Sequence, residues 1–133
     1  MEGVTIDDGD VLYRRLFYEN VYPPHSKKRP GEVNSTAFTD HGDPLQQVSV
    51  KLAKMITLEE CVRNGRPGQG VATITVAAVK ALGLRVRYTP ENGTTAAHCD
   101  IEPPDGEVIT MLQCRQMARA AKVLRAPTPP PKP

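Results

Sequence analysis

VATITVAAVKALGLRVRY, residues 71–88, decides the architecture. Its first residues, 71–74, are β-branched or small and predict a strand. Thr75 can cap the helix that follows over 76–82. Gly83 stands where a left-handed C-terminal cap is expected. Leu84, Val86 and Tyr88 then alternate with Arg85 and Arg87, so 84–88 predicts a strand with one wet face. The unit is strand–helix–strand, with a helix short for a parallel crossover but long enough to make one.

Upstream, Val48, Val50 and Leu52 alternate with Gln47, Ser49 and Lys51, which predicts a half-buried strand over 47–52. Thr57 and Glu60 form a capping box that opens a short helix to about Asn64. Residues 65–70 (GRPGQG) are glycine-rich but precede a strand, whereas a phosphate-cradling loop leads into a helix, so they read as a turn. VLYRRLFY, residues 11–18, predicts another strand. Pro23, Pro24, Pro30 and Gly31 mark a long loop, with a short strand expected over 35–38. Downstream, 96–101 predicts a strand and 107–124 a long helix with Asp105 as its cap. The sum is a single α+β domain over 11–125: a mixed, mostly antiparallel sheet with helices packed mainly on one face. A flexible arm is expected over 1–10, and a proline-rich tail over 126–133 (APTPPPKP), which cannot join a helix or central strand.

Composition narrows the function classes. The chain has 133 residues, is 39% apolar and 24% charged, and lacks Trp, so its core is aliphatic. A net charge of +2 does not by itself argue for nucleic acid. No apolar run approaches the ~20 residues of a membrane span. The opening MEGVTIDDGD is acidic and unlike a secretory signal. Cys61, Cys99 and Cys114 are widely spaced and read as free buried thiols, which fits a cytoplasmic protein. His25, His41 and His98 give no metal-ligand spacing, and neither metal nor cofactor is expected.

Four constellations could carry chemistry. Arg14 and Arg15 point to opposite sheet faces, Arg14 with Leu12 and Leu16, Arg15 with Tyr13 and Phe17. One guanidinium is therefore partly buried and needs an acidic partner, or serves as an anion clamp. His98 and Asp100 share a strand face and could be a base and its orienter, although side chains two apart on one strand meet poorly; the alternative is a rim histidine. Cys99 points the other way, so it makes no dyad with His98. Ser26-Lys-Lys-Arg29 is a basic loop without interleaved aromatics, which reads as solvated. On the final helix, Arg115, Arg119 and Lys122 form a basic stripe, while Leu112 and Val123 belong to an apolar sector beyond the core-facing one. Pro127, Pro130 and Lys132 fit a loose proline-helix ligand pattern.

Three functions follow. The first is an interaction module, an accessory subunit of a larger complex that binds a protein partner through Leu112, Arg115, Arg119, Lys122 and Val123. The alternative is a small enzyme, a transferase or hydrolase acting on a nucleotide or phosphorylated substrate, with Arg14 or Arg15 as clamp and His98 and Asp100 as acid–base groups. The third is an RNA-binding protein. A pocket joining Arg14 or Arg15 to His98 favours the enzyme, and a flat apolar patch favours the module.

Overall fold

The computed structural model describes residues 3–39 and 45–129. Strands β1 (Val11–Leu16), β2 (Val48–Leu52), β3 (Gly70–Thr75), β4 (Arg85–Tyr88), β5 (His98–Glu102) and β6 (Lys122–Arg125) form one sheet in the order β4-β5-β2-β1-β3-β6. Every described pairing is antiparallel. Helices α1 (Leu58–Arg63), α2 (Val76–Ala81) and α3 (Met111–Ala120) complete an α+β domain.

Alternation along the strands sorts side chains between two unlike faces. Leu12, Leu16, Val48, Val50, Leu52, Ile74 and Ile101 form an aliphatic layer, covered by Phe38, Val76, Val79 and Met117. Each such side chain, fully buried, contributes roughly 1.5–3 kcal/mol. The opposite face carries Arg15, Ser49, Lys51, Arg87, His98, Asp100 and Glu102. It is covered only in part, by α1, through a small cluster of Ile56, Cys61, Val71 and Ala97. The anticipated capping box holds α1 in place: Glu60 N–H donates to Thr57 Oγ1 at 3.1 Å, and Thr57 N–H to Glu60 Oε1 at 3.3 Å.

The 71–88 unit is the expected strand–helix–strand, and β5, β2 and β1 lie between β3 and β4 in the sheet. Three other expectations are corrected. Residues 35–38 are a 3-10 turn rather than a strand, because the Asn34 side chain accepts the Thr36 N–H at 3.0 Å and caps it. The last helix starts at Met111, where Thr110 and Gln113 make their own capping box, and stops at Ala120. Ala121 turns extended (φ −77°, ψ 150°). Lys122 and Val123 then lie in β6 beside Thr73 and Ala72, because the open edge of β3 offers backbone partners that outweigh helix propensity.

The N-terminal segment is bonded to the domain. Val76 N–H donates to Asp10 O at 3.0 Å and Ala77 N–H to Asp8 O at 2.9 Å. Lys54 pairs with Asp10 at 2.9 Å and Lys80 with Asp8 at 2.8 Å. Pro127 is buried, and Thr128 N–H donates to Gly68 O at 2.9 Å. Pro130 and Lys132 of the proline pattern, and His41, lie outside the described residues.

Candidate functional site

The partly covered face opens into a cleft of about 470 Å³, within the usual range for a small-molecule site. Arg15, Ser49, Lys51 and His98 form its floor. One wall is the turn after α1, with Asn64, Gly65, Arg66 and Gln69; the other is the loop carrying Asn92, Gly93 and Thr94. Arg14 and Phe17 also border it. Four basic residues thus line the cleft, Arg14, Arg15, Lys51 and Arg66, and no Asp or Glu does among the described residues.

The strand register assembles the floor. Lys51 of β2 stands opposite Tyr13 of β1 on one side and His98 of β5 on the other, and Ser49 stands opposite Asp100. Asp100 is fully buried. Its Oδ2 accepts from Thr89 Oγ1 and Asn92 Nδ2, both at 2.9 Å. Burial works against its ionisation, yet the bonds from Asn92, Thr89 and His98 together hold the carboxyl below the usual carboxylate range. A carboxylate only accepts, so His98 Nε2, 3.2 Å from Asp100 Oδ1, carries a proton. Burial, and then the Lys51 charge, push the imidazole below its ordinary value, which keeps it neutral. The Nδ1 lone pair accepts from Lys51 Nζ at 3.1 Å.

This line, Asp100–His98–Lys51, revises the expected site. His98 is buried at 3% exposure rather than at a rim, and it does touch Asp100 across two strand positions. His98 lines the cleft, but both of its nitrogens are engaged, Nε2 with Asp100 and Nδ1 with Lys51. Lys51, 5% exposed, lines the cleft beside it and presents the amine. Burial, and then the neighbouring Arg15, lower the Lys51 ammonium from its ordinary value. Alternation put Lys51 on the wet face with Ser49, but the β2–β5 register that brings it to His98 is a long-range pairing.

The two arginines separate. Arg14 lies on the aliphatic face, 8% exposed; Nε donates to Ala37 O at 2.9 Å and Nη1 to Ser49 O at 2.8 Å. These bonds join the 3-10 turn to β2, a structural task. Arg15 is half-buried at the cleft floor, with one long bond to Cys61 O at 3.4 Å and no carboxylate partner among the described residues. It is the clamp candidate.

Glycines let both walls close on this floor. A Cβ on Gly93 would fall within the His98 imidazole, and one on Gly65 would overlap Gln69 and reach within 2.8 Å of Arg15 Cδ. Gly93→Ala should therefore displace the His98 ring and lower stability by about 1–3 kcal/mol in urea denaturation. Gly9→Ala, whose Cβ would meet open space, should change it by less than about 0.5 kcal/mol.

The same groups predict acid sensitivity. His98 titrates below 6.5 in the folded protein, so the unfolded chain takes the proton first. The stability this group contributes is complete above 6.5 and is lost as pH falls through the lower folded value. Asp100 acts alike below 3.8. The urea midpoint should fall between about pH 7 and pH 5, and fall less in His98→Asn.

The remaining candidates sit elsewhere. Leu112, Arg115 and Arg119 are exposed on α3, with Leu112 at 60%, whereas Lys122 and Val123 leave the helix for β6 and Val123 packs on the core. Thus the basic stripe and second apolar sector do not continue past Ala120. In the basic loop, Arg29 stacks over Tyr22 at 5.2 Å and the Ser26 hydroxyl bonds the Lys28 backbone, while Lys27 and Lys28 are exposed. Cys61, Cys99 and Cys114 are free and buried, and burial pushes the Cys99 thiol up to about 11. Among the described residues no group of three or more His, Cys, Asp or Glu could hold a metal ion, and no helix is long and apolar enough to cross a membrane. Comparison with protein-family models, curated proteins and solved structures finds no match.

Proposed function

We propose that the chain is a small enzyme, a transferase or hydrolase, acting on a nucleotide or another phosphorylated substrate bound in the cleft. One observation carries it: Arg15, Lys51 and Arg66 line a cleft that no Asp or Glu lines among the described residues, and at its floor the buried lysine is backed by a buried His–Asp pair. Holding Arg15 beside Lys51 with no carboxylate at ion-pair distance from either among the described residues is costly in the empty protein and favourable once an anion enters, which is a mark of function rather than of stability. Arg15 anchors the anion, Arg66 closes over it from the rim, and Lys51 moves the proton. His98 and Asp100 are positioning residues that fix the Lys51 amine and carry its proton. The three buried free thiols suit a reducing, cytoplasmic setting.

Calorimetric titration with ADP and with pyrophosphate tests this. Both should bind, and Arg15→Gln should weaken them about 10- to 100-fold, the worth of a charge-assisted hydrogen bond. Arg87→Gln is the control, because Arg87 lies on the same face but is paired with Glu102 at 2.8 Å; it should leave binding unchanged. Absence of binding by either anion, or indifference to Arg15→Gln, contradicts the proposal.

A second function, a protein-interaction module with α3 as its contact, is supported by the exposure of Met111 at 55% and Leu112 at 60% beside Arg115 and Arg119. Under it Leu112→Asp would abolish partner capture by the folded protein, while Arg15→Gln would not.

A further inference from the structure

We propose that Lys51 is a nucleophilic lysine that forms an imine with a phosphorylated aldehyde or ketone seated in the cleft. The assignment rests on the anion-binding function above and names its substrate class. Lys54 and Lys80 are exposed and paired with Asp10 and Asp8. Lys51 is buried, has no carboxylate within ion-pair distance among the described residues, and bonds instead to a neutral imidazole nitrogen. That nitrogen is a lone pair because Asp100 holds the ring proton on the other side. Besides the His98 nitrogen bonded to Nζ, the charged and titratable groups acting on Lys51 are Arg15, which lowers its value, and Cys61, Asp100 and Cys99, which raise it; burial and Arg15 prevail. Burial and the Arg15 charge both favour loss of the ammonium proton, the condition for an amine to attack.

The step balances without a further reactant. His98 Nδ1 takes one proton from the Lys51 ammonium. The freed Nζ pair forms a bond to the carbonyl carbon, and the C=O π pair moves to oxygen. A second proton passes from nitrogen to that oxygen, giving a carbinolamine. The imidazolium returns its proton to the hydroxyl, the C–O bond breaks, and water leaves. The nitrogen pair closes the C=N bond, leaving one proton on a cationic iminium. Arg15 and Arg66 hold the phosphate while Lys51 meets the carbonyl. Such a cation can be reduced and trapped.

The test uses the full chain with equimolar pyridoxal 5′-phosphate at neutral pH, borohydride reduction and peptide mass spectrometry. Lys51 should carry at least about ten times the label of Lys54 or Lys80, and excess pyrophosphate should protect it. Pyridoxal, which lacks the phosphate, should label Lys51 at least about tenfold more slowly, and His98→Asn should slow labelling by a similar factor. If pyrophosphate binds with dependence on Arg15 yet the label spreads evenly over the lysines, the imine assignment is overturned and the anion clamp stands. If pyridoxal and its phosphate label Lys51 equally, the phosphorylated substrate class is overturned, and the clamp with it.

Discussion

Arg14→Ala lowers the unfolding free energy by about 3 kcal/mol in urea denaturation, and Arg15→Ala by less than about 1 kcal/mol. The two residues are adjacent and chemically identical, so the difference reports their surroundings. Arg14 is 8% exposed within the aliphatic layer, and its removal strips donors from the Ala37 and Ser49 carbonyls and leaves a void beneath the 3-10 turn. Arg15 gives up one bond of 3.4 Å to Cys61 O at the floor of an open cleft. Equal losses, or a larger loss at Arg15, would contradict the division of the pair into a structural and a functional arginine.

Lys51→Met leaves stability unchanged or raises it by up to about 2 kcal/mol, while anion binding falls at least about tenfold. A buried ammonium facing Arg15, with no carboxylate at ion-pair distance among the described residues, is a cost to the fold, and a methionine of similar length fills the same space. The loss of one hydrogen bond to His98 offsets part of the gain. The sign with pH follows. Lys51 titrates below 10.5 when folded, so the unfolded chain binds the proton more readily, and wild-type stability rises as pH climbs from the folded value toward 10.5. Lys51→Met removes this contribution. A marked loss of stability in the variant would make Lys51 a structural residue. Thermal unfolding and pyrophosphate titration of the same sample measure both effects.

The local signals in the chain were legible. Period-two alternation placed β2 and β4 and their faces, the Thr57–Glu60 box started α1, and Gly83, at φ 82°, ended α2. The opposed faces of Arg14 and Arg15 were also readable, since they follow from alternation alone. The site was legible only as fragments. Arg15, His98 and Asp100 were named, but Lys51 was one wet-face lysine among others. Its meaning depends on pairing β2 with β5, whose paired residues stand 47 positions apart at Lys51 and His98. Gly65 read only as a turn residue, because a close approach to a side chain leaves no local mark. Leu112, Arg115, Arg119, Lys122 and Val123 formed a plausible helix face until β3 took residues 122–125 as a strand. A Thr110–Gln113 box, visible in the sequence, marks the true start of that helix.

The claim that the cleft is an anion site built around a buried lysine beside Arg15 is tested most directly by the titration of Lys51 itself. With ¹³C-labelled lysine, the Lys51 Cε resonance followed against pH, assigned by its absence in Lys51→Met, gives its pKa with and without saturating pyrophosphate. The account predicts a value below 10.5 in the free protein, rising when the anion neutralises the Arg15 and Lys51 charges. An ordinary value that the anion does not move would contradict it.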